Sequence, residues 1–293
     1  MDLRAIAMGL IFALIWSSAF TSARIIVEAA PPMASLAVRF AISGAVGIGL
    51  ARILGHSWSL SRAQWRSVAI FGICQNALYL GLNFIAMQWI EAGLAAIIAS
   101  TMPLIVAAAN WTVFRERLPV VGILGLIAGF GGVALIMVQR LSGGVDMLGV
   151  TLGLIAALAL AVATMTVRGA SSGGGSVLMI VGLQMLVGSA ALLPFAVAFE
   201  TWVVTWSWGL VAAFTYTVFA PGLLATWIWF LLVQRIGATR AATFHFLNPF
   251  FGVAIAAMIL SEALTGIDIL GVAIIAGGIL AVQLARAGGA GIR

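Results

Sequence analysis

Apolar residues in this chain come in long runs of roughly twenty, without the period-two alternation of half-buried strands, and short joints rich in Arg, Gly, Ser and Pro separate them. The runs fall at 5–27, 33–54, 66–89, 92–114, 119–139, 147–168, 176–199, 208–234, 238–260 and 268–286. Each is close to the length an α-helix needs to cross a hydrocarbon core about 30 Å thick. The pattern predicts ten membrane-spanning helices.

Composition strengthens that reading. Hydrophobic residues make up 63% of the 293 and charged residues 8%, far below the charge of a soluble domain, about 25%. The fold class expected is an all-α integral membrane protein. The first run is of spanning length and continues the pattern instead of ending at a small-residue cleavage site, so the N-terminus is expected to be retained. The single cysteine, Cys74, lies within the third run and supplies neither a disulfide nor a metal framework. The net charge of +6 does not point to nucleic acid, because every basic residue is an arginine and nearly all sit at the ends of apolar runs.

Those arginines predict orientation. Arg4, Arg52, Arg62, Arg66, Arg115, Arg117, Arg168, Arg235, Arg240, Arg286 and Arg293 collect on one side, and Glu28, Glu91, Asp146, Glu200, Glu262 and Asp268 on the other. The positive-inside rule makes the first side cytoplasmic, with both termini on it. The chain also repeats itself at a spacing of 146 residues: Gln88, Pro103, Ala108, Glu116, Leu118, Gly125, Gly131 and Gly132 recur as Gln234, Pro249, Ala254, Glu262, Leu264, Gly271, Gly277 and Gly278. Five spans per copy is an odd number, so residues 1–142 and 143–293 are expected to form two inverted five-helix repeats, joined by the seam from Leu141 to Asp146. Glu116 and Glu262 should then lie at opposite faces of the membrane. Ser171 to Gly175 reads as a flexible joint inside the second copy. Inverted repeats favour a binding site near the midplane, reached alternately from either side as the halves rock.

Polar residues inside the spans are the candidates for lining a path. Asn76, Tyr79 and Asn83 fall at i, i+3 and i+7, one face of an α-helix. That face offers amide and phenol groups to a polar solute, or else hydrogen-bonds to neighbouring helices. In the ninth span His245, Phe246 and Asn248 precede Pro249, and in the fourth Ser100 and Thr101 precede Pro103. Each proline withholds an N–H from the carbonyl four residues back, Ala99 and His245 respectively, so two related helix distortions are expected around the centre. Those carbonyls could accept from an ammonium group, unless Ser and Thr re-satisfy the backbone. His245 has no predictable carboxylate beside it and is expected to be neutral, contacting substrate or structure. Trp58, Trp65, Trp89, Trp111, Trp202, Trp206 and Trp208 read as interfacial anchors. Trp16, Trp227 and Trp229 lie deeper, and with Tyr79, Tyr216 and Phe246 could form an aromatic wall or simply pack. Arg39 either draws a substrate carboxylate or snorkels outward to Glu28 or Glu91; the second is the expectation. Gly122, Gly125, Gly129, Gly131 and Gly132, with Gly271, Gly277 and Gly278, predict close helix contacts.

The central spans hold no Lys, Asp or Glu, which disfavours phosphorylated sugars and dications and suits a neutral or zwitterionic solute. No metal-ligand spacing, Ser/His/Asp set or paired carboxylate is placed for catalysis, so an enzyme is not expected and neither metal nor cofactor is implied. The chain has no lysine and therefore no nucleotide-binding loop with which to use ATP. A non-transporting assembly subunit is the reading from a different class, but it leaves the polar mid-membrane stripe unexplained.

The segment Trp16-Ser17-Ser18-Ala19-Phe20, Arg39-Phe40 in the second span, the pairs Pro103…Glu116 and Pro249…Glu262, and ten spans as five plus five resemble the EamA family of the drug/metabolite transporter superfamily. Within it the chain is similar to YddG-type exporters of aromatic and other amino acids. The resemblance covers essentially the whole chain. It implies a basket-like bundle in a bacterial inner membrane, a central cavity, and export of a small solute by alternating access, with other metabolites or drugs as the alternative cargo. The second half departs from the pattern: Leu160-Ala161-Val162-Ala163 stands where a second Trp-Ser-Ser segment would be.

Overall fold

A computed structural model describes residues 3–57, 60–113, 115, 118–166, 176–236, 241 and 243–289. Glu116, Trp58, Arg117, Arg168, Arg240, Arg293 and the joint Ser171 to Gly175, all given roles above, lie outside the described residues.

The described chain is helical, in ten elements: α1 Leu3–Ala29, α2 Pro32–Ile53, α3 Arg62–Ala86, α4 Ala92–Thr112, α5 Val120–Ser142, α6 Met147–Thr166, α7 Val177–Phe199, α8 Trp208–Ile236, α9 Phe244–Leu260 and α10 Gly266–Gly289. Sequence chemistry sets their starts. α3 opens earlier than the apolar pattern suggests because Ser61 and Gln64 form a reciprocal capping box. Pro32 opens α2, where its missing N–H is not needed, and the hydroxyls of Ser176 and Ser207 accept from the first turns of α7 and α8. Two other helix starts are capped from a distance. The Glu200 carboxylate accepts from the Met33 and Ala34 N–H groups at 2.7 and 2.8 Å, and the Glu262 carboxylate from those of Ala92 and Gly93 at 2.7 and 2.9 Å.

Packing follows the duplication. α5 lies along α10 and α2 along α7; α1 touches α8 and α9, as its equivalent α6 touches α3 and α4. These are the contacts a two-fold relation between the halves requires. Lipid tails are as apolar as Leu, so helix association depends on close approach, and glycines supply it at both long seams. A methyl group on Gly278 would stand 2.6 Å from the Gly125 carbonyl oxygen and 2.6 Å from the Gly129 nitrogen. One on Gly44 would meet the Gly182 oxygen at 2.9 Å, and the reverse pair has the same 2.9 Å. Of the glycines expected to make close contacts, Gly125, Gly132, Gly271 and Gly278 meet backbone of the facing helix, whereas Gly131 and Gly277 have nothing within 4 Å of an added methyl and lie off the seam.

Three backbone features recur at the repeat spacing. Arg115 and Ser261, 146 apart, both adopt left-handed backbone, φ 54° and 56°; non-glycine residues seldom do so. π-helical turns widen α3 at Gly72–Leu80 and α8 at Val218–Leu224, which begin 146 residues apart. α4 and α9 are both interrupted. α4 breaks at Ser100–Thr101 and restarts at Met102 with Pro103 second, and α9 runs as a 3-10 turn over Thr243–Leu247 before an α-helix from Asn248 with Pro249 second. Proline thus distorts both helices where the sequence predicts.

Candidate functional site

The widened turns matter because of what they face. α1, α2, α3 and α8 border a narrow cleft lined by Trp16, Ala19, Phe20, Ala23, Arg39, Tyr79, Leu80, Asn83, Phe84, Met87 and Pro221. Tyr79 and Leu80 end the π-helical turn of α3, and Pro221 lies within that of α8. Both symmetry-related widenings therefore reach one space. Such turns are rare and concentrate at functional sites.

Tyr79 and Asn83 are buried and line the cleft together, and Trp16 faces them from α1. The Asn83 amide donates from Nδ2 to the Tyr79 carbonyl at 2.9 Å, while its Oδ1 is buried without a donor. Asn76 has turned elsewhere. It donates to the Gln184 carbonyl on α7 at 3.0 Å and packs against Gly188, so it holds helices together and is absent from the cleft. The reason is geometric: a π-helical turn carries more than 3.6 residues, so the α-helical spacing that aligned Asn76 with Tyr79 and Asn83 does not apply across it.

The other candidates lie outside this cleft. Ser100 Oγ donates to the Ala96 carbonyl at 2.6 Å, and Thr101 Oγ1 to that of Ile98 at 2.7 Å, so both hydroxyls are spent within α4, on carbonyls other than that of Ala99. Neither Pro103 nor Pro249 borders the cleft. His245 Nδ1 and Asn248 Nδ2 are 2.8 Å apart, with Phe12 and Trp229 edge-on to the imidazole at ring-centre distances of 5.4 and 4.9 Å. The Asn248 carbonyl accepts from Ser17 at 3.3 Å. This buried group sits between α1, α8 and α9, with Phe246 half-buried beside it. Tyr216 and Trp227 are 41% and 42% exposed and do not line the cleft, and the Tyr216 hydroxyl reaches Ser18 Oγ on α1 at 2.6 Å. They do not join an aromatic wall here.

Arg39 departs most from expectation. It does not snorkel to Glu28 or Glu91: Glu28 pairs with Arg24 at 2.7 Å, and Glu91 with Arg140 at 2.8 Å. It stays 4% exposed, its Nε donating to the Thr217 carbonyl at 3.2 Å and its guanidinium 5.0 Å from the centre of the Phe40 ring. The Thr217 carbonyl stands at the start of the π-helical turn of α8. Ser43 on α2 donates to the neighbouring Val218 carbonyl at 3.1 Å in the same way.

On the rim bearing the carboxylates, Arg140 bridges Glu91 and the buried Asp268, at 2.8 and 3.0 Å, and Arg24 also donates to the Met87 and Ile90 carbonyls. Glu262 lies beside this cluster. Burial pushes its carboxyl above the usual carboxylate range; the N–H donors of Gly93 and Ala92 pull it down, neighbouring Glu91 raises it and Arg24 lowers it. Trp65, Trp89, Trp111, Trp202, Trp206 and Trp208 are all exposed, as anchors at a membrane interface would be.

Known proteins fit this architecture. The sequence profile of the EamA-like transporter family matches residues 3–138 and again 147–284. An uncharacterized transporter of Bacillus subtilis, YvbV, is 27% identical over 236 residues, covering 80% of this chain and 77% of its own. An uncharacterized transporter of Synechocystis is 26% identical over 283 residues, covering 88% and 83%. A solved crystal structure superimposes with a TM-score of 0.70 over 98% of this chain and 100% of that one at 21% identity, a likeness of fold.

Proposed function

From the premise that the chain belongs to the EamA-like transporter family, and so is a multi-pass membrane transporter, we propose that it exports amino acids, aromatic and other apolar neutral ones, from the cytoplasm by alternating access. The observation that carries this reading is the cleft at the two widened turns. Trp16, Phe20, Tyr79 and Phe84 give it aromatic walls, and Asn83 gives it an amide. Few polar groups on a mostly apolar surface suit a small solute with an apolar side chain. Substrate contact belongs, in this proposal, to Trp16, Tyr79 and Asn83. The His245–Asn248 group lies behind Trp229, which links it through Phe12 to Trp16. The bacterial relatives and the arginine distribution support an inner-membrane location with both termini in the cytoplasm.

Counterflow in proteoliposomes tests the proposal. Vesicles preloaded with phenylalanine should take up labelled phenylalanine transiently and saturably. An absence of saturable flux for every aromatic and apolar amino acid, with flux for a cationic drug, would replace the amino-acid reading with drug export.

A further inference from the structure

Arg39 is a charged group nine-tenths buried at membrane depth, and every described carboxylate is engaged elsewhere. Glu28 holds Arg24; Glu91 and Asp268 hold Arg140; Glu200 and Glu262 cap α2 and α4; Asp146 accepts from the Leu148 and Gly149 N–H groups. An intramembrane guanidinium is costly unless an anion or carbonyls compensate it. Here the protein supplies one carbonyl, to Nε, and one aromatic face. A guanidinium has five N–H donors in a planar fork, and its two terminal nitrogens match the two oxygens of a carboxylate. Nη2 lies beside Gly222, where a methyl group would come within 3.6 Å of it. The residue borders the cleft.

The same cleft contains the opposite deficit. Asn83 Nδ2 faces the Tyr79 carbonyl, which can only accept, and this fixes the amide so that Oδ1 is the atom without a donor. A buried acceptor left unmatched keeps the full penalty of leaving water. A donor-deficient amide and an anion-deficient guanidinium on one apolar cleft describe a ligand that brings both missing parts.

We propose that Arg39 holds the carboxylate of the transported solute and that Asn83 Oδ1 accepts a hydrogen bond from an amino or hydroxyl group on the same molecule. The ligand class is a small monocarboxylate with an apolar body and an N–H or O–H donor, the chemistry shared by α-amino and α-hydroxy acids. This rests on the export reading above and narrows it: organic cations and neutral amides are poor ligands, because they leave the guanidinium unmatched.

Affinities of the purified full chain for five related probes decide the point: phenylalanine, 3-phenyllactate, 3-phenylpropanoate, phenylalaninamide and phenethylamine. The wild type should bind phenylalanine and phenyllactate at least about tenfold more tightly than the amide or the amine. Phenylpropanoate, which has the carboxylate without the donor, should fall between. Arg39→Gln should bring the acid-to-amide ratio near one, with Arg39→Lys restoring part of it. Asn83→Ala should erase the preference for phenyllactate over phenylpropanoate and keep the preference for acid over amide. Equal wild-type affinity for acids, amide and amine overturns the proposal without any variant. So does an Arg39→Gln protein that keeps its acid preference, or binding of the acids displaced equally well by inorganic chloride or phosphate. Counterflow of the same probes separates the two readings. Exchange of phenyllactate without phenylalanine removes amino-acid export and keeps the role of Arg39; exchange of phenethylamine with no carboxylate removes the role of Arg39 and keeps transport.

Discussion

Along the α5–α10 seam the two repeats contribute matching residues, Gly125 and Gly132 from one and Gly271 and Gly278 from the other, and each approaches a backbone atom of its partner helix. Around the cleft they do not match. The first repeat supplies Trp16, Phe20, Arg39, Tyr79, Asn83 and Phe84, while the second supplies Pro221. At the repeat spacing Tyr79 and Asn83 correspond to Ala225 and Trp229. Where backbones must touch, both copies keep the same small residues; in the proposal that the cleft recognises a solute, symmetry serves no purpose, because an asymmetric solute presents different groups on its two sides. The shared widening of α3 and α8 spans the two regimes: its backbone recurs, and the side chains mounted on it diverge.

The largest effects should fall on the seam and be equal in both copies. Gly132→Leu and Gly278→Leu each drive a side chain into backbone, and each should cost about 3 kcal/mol or more, seen as loss of monodisperse protein by size-exclusion chromatography. Collapse of one variant alone would break the symmetry of the seam. At the cleft the expected loss is functional and one-sided. Tyr79→Ala should lower counterflow about tenfold with the protein still folded, whereas Trp227→Ala, at an exposed position of α8 outside the cleft lining, should stay within about twofold. Equal losses would move the site away from the cleft.

A smaller effect belongs to the rim. Glu262→Gln keeps one acceptor for the Ala92 and Gly93 N–H groups and turns an NH₂ toward the other, at a cost of about 1 kcal/mol near neutral pH. Because the folded state raises the Glu262 carboxyl above its unfolded value, folded protein binds the proton more tightly. Stability from this group therefore grows as pH falls through the folded value toward the unfolded one, about 4.3, and is lost as pH rises. Melting temperatures of wild type minus Glu262→Gln between about pH 4 and 7 should show that slope; no slope would mean the carboxyl is not shifted. The smallest change is Gly277→Ala, next to Gly278 but with nothing near its added methyl, which should alter stability by less than about 1 kcal/mol.

Much of the fold was legible in the chain. Run lengths gave the spans within a few residues, proline positions located the interruptions of α4 and α9, and recurring glycines marked the seam. These properties follow from local sequence and helix geometry. The site was legible in part. Tyr79, Asn83 and Trp16 were singled out and do meet in the cleft, but Asn76 was placed with them on a periodicity that a π-helical turn invalidates. Aromaticity and depth single out Tyr216 and Trp227, but they do not say which space a side chain borders, and neither lines this cleft. Arg39 was expected to reach a carboxylate by length alone. Its actual acceptor, the Thr217 carbonyl, lies 178 positions away at the start of a π-helical turn in another helix, and nothing local to Arg39 announces it.

The carboxylate of Glu262 ties the joint after α9, in the second repeat, to the first turn of α4, in the first. In a cycle that opens this face of the molecule, those two bonds are a clock. Separating the halves here means stripping a carboxylate of its two N–H donors, and the waiting time before that happens rises exponentially with their strength, about tenfold for each 1.4 kcal/mol. In the proposed export cycle a single side chain outside the cleft lining thus sets turnover without changing what is carried.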